Sequence, residues 1–232
     1  MSLYKIHPIV MGTKIFDKTM MTYQHGYGEQ YVIPIYCWYI EGGEQKILVD
    51  TGEMNPIQSA EREDAVRGKI YTFEEGLARW NLTPEDIDIV IHTHLHNDHC
   101  ENDYKCVNAE FYVHEKEMER IHNPHPLDFR YLEDYIEDVE ENGQIRTISE
   151  DMEILPGIRV IHTPVHTDGG LTVLINTSQG TAAITGFCVI DENFNPPKEI
   201  KAMEMDVIPR EPMSMCMRHM ISCSMLKNRQ IY

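Results

Sequence analysis

Residues 92–99 read HTHLHNDH, four histidines and one aspartate in eight positions. The stretch follows the apolar run IDIVI (87–91), which reads as a β-strand. His94 and His96 stand two apart, so at a strand end or in extended chain they point the same way. Asp98 and His99 can turn back toward the same space. Imidazole nitrogen and carboxylate oxygen are ligands that zinc and iron accept. Adjacent imidazoles at a strand end bury poorly, so core packing gives no reason for the cluster. His94, His96, Asp98 and His99 are therefore candidate metal ligands.

A second stretch, HTPVHTDGG (162–170), follows another β run. His166 is its candidate ligand, placed ahead of glycines that free the backbone; His162 reads as structural.

Outward from these two stretches the pattern is mixed. YVIPIYCWYI (31–40), the turn EGGEQ and KILVD (46–50) predict a hairpin of buried strands. The aromatic YCWY (36–39) reads as core. Residues 55–80 read as helix or loop. In NLTPEDIDIVIHT (81–93), Thr83 is an N-cap, Pro84 the first helical residue, and Glu85 and Asp86 fill the first turn. AEFYVHEKEMERI (109–121) predicts a strand and then a helix. Residues 126–142 are acidic and predict a helical, solvated insertion, with DYIEDVEEN (134–142) as a solvated helix face. ISEDMEILPGIRVIHTP (148–164) predicts strand, turn, strand, and LTVLINTSQGTAAITGFCVI (171–190) a hairpin turning near Ser178–Gly180. Two packed sheets with helices outside satisfy this order. His7, His25, His114, His122 and His125 read as surface or loop residues, with His25 or the His122/His125 pair as alternative pocket liners.

The chain has 232 residues and 42% hydrophobic content, enough for one globular domain with a real core. No apolar run approaches the roughly 20 residues of a membrane span. MSLYKIHPIV (1–10) has neither a basic region nor a cleavage site, so no signal peptide is expected. The net charge of −18, with 38 acidic against 20 basic residues, argues against nucleic-acid binding. Six cysteines form no C-x-x-C pair, which predicts reduced thiols and a cytoplasmic protein.

ILVDTG (47–52), THLHNDH (93–99) and HTPVHTDGG (162–170), in this order and spacing, resemble the metallo-β-lactamase superfamily, most of all its N-acyl homoserine lactonase group. The likeness spans about residues 30–190. It implies an αββα sandwich, two mixed β-sheets packed face to face with helices outside, and a metal site at one edge of the sheets. It implies that His94, His96 and His166 hold one metal, that Asp98 and His99 belong to a second, and that Asp50 orients a ligand or the nearby backbone. Flavodiiron relatives carry a glutamate at the position of His96, so the histidine favours zinc-type hydrolysis. One or two Zn²⁺ ions are expected, with Fe or Mn as alternatives.

Two departures accompany the likeness. Phe187 of ITGFCVI stands where the family has a metal-bridging aspartate, and Ile190 where lactonases have a tyrosine. Cys188 could bind zinc, but it alternates to the opposite face of the strand. The second departure is the end of the chain. Residues 1–207 read as the family-like domain, and 208–232 as a Met-rich tail in place of the last helix and strand. Five of the fourteen methionines lie in residues 213–225. A loose surface tail and a Met/Cys copper site are two readings of it. The preferred reading is a frame shift: Met215–Cys216 then forces valine and Met220–Ile221 forces aspartate, and permitted codons turn 209–231 into PGTHVDVHETYDLMLNVKKQAD, a family-like helix. The nucleotide sequence decides between them.

The functional expectation is metal-dependent hydrolysis of an ester, lactone or thioester by a metal-bound hydroxide, with Asp98 as base or proton shuttle and His99 beside it. A glyoxalase II-type thioester hydrolase and a non-catalytic metal- or ligand-binding member are the rivals. The expected partner is a small carbonyl substrate, with a homodimer possible and neither nucleic acid nor membrane.

Overall fold

The computed structural model describes residues 2–22 and 25–187. Cys188, Ile190 and the tail 208–232 lie outside them. Strands β1 (Lys5–Asp17), β2 (Gln30–Glu41), β3 (Ile47–Val49), β4 (Ile89–Ile91), β5 (Glu110–His114) and β6 (Ile145–Ile148) form a mixed sheet in sequence order. Strands β7 (Met152–Leu155), β8 (Ile158–His162), β9 (Leu171–Thr177) and β10 (Gly180–Ile184) form a second sheet, antiparallel throughout the described residues.

Side-chain alternation along the first sheet feeds two cores at once. Trp38, Ile40, Ile47, Val49, Ile89 and Ile91 point one way, onto Ile158, Val160, Leu171, Val173 and Ile175 of the second sheet. Cys37, Tyr39, Leu48, Val90, Phe111 and Val113 point the other way, toward the helices. Helix α2 (Phe73–Ala78) adds Phe73 and Leu77 to that layer, α4 (Glu115–His122) adds Met118 and Ile121, and α5 (Glu137–Glu141) adds Val139. Helix α1 (Ala60–Val66) buries no residue and is capped by Ser59. Within the described residues the order is helices, first sheet, second sheet. None of their helices is long and apolar enough to cross a membrane.

The hairpins at 31–50 and 171–184, the strand–helix unit at 110–122 and the β7–β8 turn follow the sequence reading. Residues 84–86 form a single 3-10 turn that begins after Thr83. Residues 5–17 form a long strand that pairs with β2 across a bulge at Val10–Gly12. Two expectations change. The segment 126–142 is mostly loop, with a 3-10 turn at Glu133–Tyr135 and the short α5; Tyr131, Ile136 and Val139 are buried, so it is not merely solvated. His114 is buried, not superficial: it caps α4 by accepting from Lys116 N, and its ring stacks on His162 at 4.2 Å.

Candidate metal centre

The site sits where chain leaves the C-terminal ends of strands. Strand β4 ends at Ile91, and His94 and His96 follow in extended chain before the single turn α3 (Asn97–Cys100). His166 comes from the loop between β8 and β9. One nitrogen from each of these histidines lies within 4.8 Å of the others. The ring centroids of His94, His96 and His166 are 4.5 to 4.9 Å apart, and every pair is close to perpendicular.

The donor set fits a cation. His94 Nε2 is buried with no hydrogen-bond partner among the described residues. His96 Nδ1 faces His166 Nε2 at 3.1 Å. Burial, then the neighbouring imidazoles with His99 first, holds His94 well below its ordinary pKa. Burial followed by the His166 charge brings His96 to about 2, and burial followed by the His99 charge brings His166 to about 4. All three imidazoles are neutral at pH 7, the form that offers a lone pair to a metal.

Asp50 organises the floor. It takes a left-handed backbone conformation (φ 57°), which aspartate tolerates better than most residues. Its carboxylate accepts Thr93 N at 2.8 Å, Thr93 Oγ1 at 2.7 Å and His99 Nδ1 at 2.8 Å. Because Thr93 Oγ1 donates to Asp50, it accepts from His94 Nδ1 at 3.2 Å. The network therefore assigns the proton of His94 to Nδ1 and leaves Nε2 open. Burial would raise the Asp50 carboxyl, but the His99 charge and hydrogen bond, with His92 close by, bring it to about 2. His92, the first histidine of the motif, does not join the triad. It is buried between Asp103 at 2.8 Å and Asp50 at 3.6 Å, where the carboxylates outweigh burial and raise it to about 10.

Asp98 and His99 stand beside the triad without joining its three-nitrogen cluster. His99 Nε2 is 3.9 Å from Asp98 Oδ2, and Lys14 Nζ is 3.2 Å from the same oxygen. Burial would raise Asp98, but the charges of His99 and Lys14 hold it below its ordinary value. Burial would lower His99, but Asp50 and Asp98 hold it above.

A cavity of about 210 Å³ opens over these groups. The triad, Asp98 and Lys14 line one side, and Phe16, Met21, Ile33, Ile35 and Trp38 form an apolar wall. Phe187 lines it too, so the expected carboxylate position presents a ring. His25, His122 and His125 are not among its lining residues.

Several contributors carried no sequence signal. Glu117 of α4 is buried and ties the two ligand loops together. Its Oε2 accepts Leu95 N at 2.9 Å and Tyr131 Oη at 3.0 Å, and its Oε1 accepts Gly169 N at 3.0 Å. Gly169 lies so close that an added Cβ would meet Glu117 at 2.7 Å. Gly186 has φ 72°, and a Cβ there would collide with Thr93. Tyr131 packs its ring edge-on against His96 at 4.7 Å. Arg130 pairs with Asp128 at 2.6 and 2.8 Å, and Asp128 lies 3.9 Å from His96 Nε2.

Comparison with known proteins agrees with this geometry. A family model described as "Metallo-beta-lactamase superfamily" matches residues 31–186. An N-acyl homoserine lactonase of Bacillus sp is 28% identical over 195 residues, covering 77% of this chain and 73% of the relative. A solved N-acyl homoserine lactone hydrolase, with N-hexanoyl-L-homoserine bound at its catalytic metal center, superposes with a TM-score of 0.67 at 24% identity, covering 89% of this chain and 85% of that one. A probable metal-dependent hydrolase from Staphylococcus aureus superposes at 0.62 and 22% identity, covering 79% and 72%. That model covers both sheets' described strands from β2 onward and both histidine-bearing stretches, and the chain belongs to the metallo-β-lactamase superfamily.

Proposed function

We propose that the protein is a metal-dependent hydrolase of a carbonyl ester, with lactones as the leading substrate class and thioesters as the alternative. One observation carries this reading: three neutral imidazoles from two separate loops converge, and His94 and His96 each keep a buried Nε2 with no hydrogen-bond partner among the described residues. His94, His96 and His166 would hold the ion, a three-histidine set suited to a catalytic zinc. When bound, such an ion lowers the pKa of a coordinated water toward about 7 and polarises a carbonyl oxygen.

The remaining work falls to the chain's own side chains. Asp98 borders the cavity as an ionised carboxylate and accepts a proton during attack on the ester. His99 donates Nδ1–H to Asp50, which fixes the ring with Nε2 3.9 Å from Asp98 Oδ2 beside the reacting space. The apolar wall from Phe16 to Trp38 excludes water and suits a hydrocarbon-bearing acyl group. The lactonase relatives support a cyclic ester as substrate.

A non-catalytic, metal-binding role is the second reading. Phe187 in the cavity favours it, since no carboxylate is offered there. Elemental analysis of the purified protein, with hydrolysis assays on acyl lactones and acyl thioesters, tests both. Bound transition metal with turnover that His96→Ala abolishes is the expected result. Metal without turnover of either class leaves the binding role, and protein without transition metal rejects both readings.

A further inference from the structure

The proposed hydrolase reading leaves a gap, and this inference rests on that reading. Asp98 and His99 are the ligands that the family resemblance assigns to a second ion. Within the described residues no third ligand accompanies them, and Phe187 lines the cavity at the expected bridging position. Yet the carboxylate of Asp98 does not lack a cation. Lys14 Nζ lies 3.2 Å from Oδ2, the oxygen that also faces His99 Nε2 at 3.9 Å.

Lys14 reaches this point for a topological reason. It lies on β1, opposite Ile33 of β2, just after the Val10–Gly12 bulge. Past the bulge, alternation sends Lys14 and Phe16 to the cavity side, and both line it. The pair is only partly open to solvent, with 31% of the Lys14 side chain and 18% of the Asp98 side chain exposed. Solvent therefore screens it less than it screens a surface salt bridge.

We propose that the Lys14 ammonium occupies the place of the second cation, so that the centre holds a single ion and Lys14 positions Asp98. A fixed positive charge against Oδ2 does two things. It holds Asp98 Oδ2 in place at the cavity without help from an ion. It also repels a second divalent cation, which would have to displace the ammonium to reach that oxygen. Phe187 at the bridging position and Lys14 against Asp98 are two halves of one arrangement: one fewer negative charge is matched by a monocation in place of a dication.

The test is metal stoichiometry, which does not depend on turnover. Wild type, Lys14→Met and Lys14→Arg are stripped with chelator and titrated with cobalt(II), followed by visible absorption. Elemental analysis after gel filtration counts the retained ions. Lys14→Gln serves as a second uncharged variant, and circular dichroism matching wild type qualifies each protein. Wild type and Lys14→Arg are expected to retain one ion per chain. The uncharged variants are expected to bind a second ion about tenfold or more tightly than wild type does, since a unit charge at this range is worth about one pK unit or more. Two ions retained by wild type, or unchanged second-ion affinity in the uncharged variants, would overturn the inference while leaving the hydrolase reading intact. No retained ion in any variant would reject the hydrolase reading and the inference with it.

Discussion

At the scale of single residues, the centre depends on Thr93 as much as on the histidines beside it. Its hydroxyl donates a hydrogen bond to Asp50 and accepts one from His94 Nδ1, which leaves His94 Nε2 without a proton. Thr93→Val keeps the shape and removes both bonds. The variant should lose about 10- to 100-fold in metal affinity, the usual effect of removing a partner that orients a ligand. A chelator-competition titration measures this, and an affinity within twofold of wild type would refute it. HTHLHNDH marked its histidines and aspartate as candidate ligands from residue type and spacing. It could not announce that His92, the most N-terminal of the four, is sequestered between Asp50 and Asp103. Those carboxylates lie 42 positions before it and 11 after it, and no local pattern encodes such a meeting.

At the scale of elements, α4 determines whether the two ligand loops share one space. Glu117 accepts backbone N–H groups from both loops, Leu95 on one and Gly169 on the other. In Glu117→Gln one of these amides meets an amide nitrogen. A buried donor is then unpaired, at a cost of about 1.5–3 kcal/mol. Chemical denaturation should show that loss, and the metal affinity should fall with it; unchanged values for both would show that Glu117 is not the tie. The far end of α4 has a pH dependence of its own. His122 is raised above its ordinary 6.5 by its hydrogen bond to Glu133, supported by Glu140. A raised folded-state value means stability fully present below pH 6.5 and lost as pH rises through that higher value. Melting temperatures of wild type and His122→Gln should therefore differ most at mildly acidic pH and converge above neutrality. A constant difference from pH 5 to pH 9 would contradict this. The sequence predicted a strand and then a helix in AEFYVHEKEMERI, and nothing in that string singles out Glu117.

At the scale of the whole molecule, the inter-sheet core supplies much of the packing and, through Trp38 and Ile184, borders the candidate site. The inter-sheet core is built from β-branched residues on alternating positions, and Ile175 of β9 is fully buried in it. Ile175→Ala should cost about 2–5 kcal/mol through lost burial and the cavity left behind. Urea unfolding checks it, and a cost below 1 kcal/mol would mean the sheets repack freely. The cysteines fit the same picture. Cys37, Cys100 and Cys106 are free and buried in the helix-side core, and burial raises each thiol well above its ordinary value.

The sequence by itself determined the strands around the site, the hairpins and the candidate ligand set. These depend on periods of two and on residue types at short spacing, which a linear string records directly. Only the tertiary structure decided that β1 carries Lys14 to Asp98, that α4 ties the ligand loops, and that residues 131–139 send three side chains into the core. Each of these is a contact between segments distant in the chain or a burial set by packing. Charge–charge and hydrogen-bond partners fall off within a few ångströms, so only the folded geometry can bring them together.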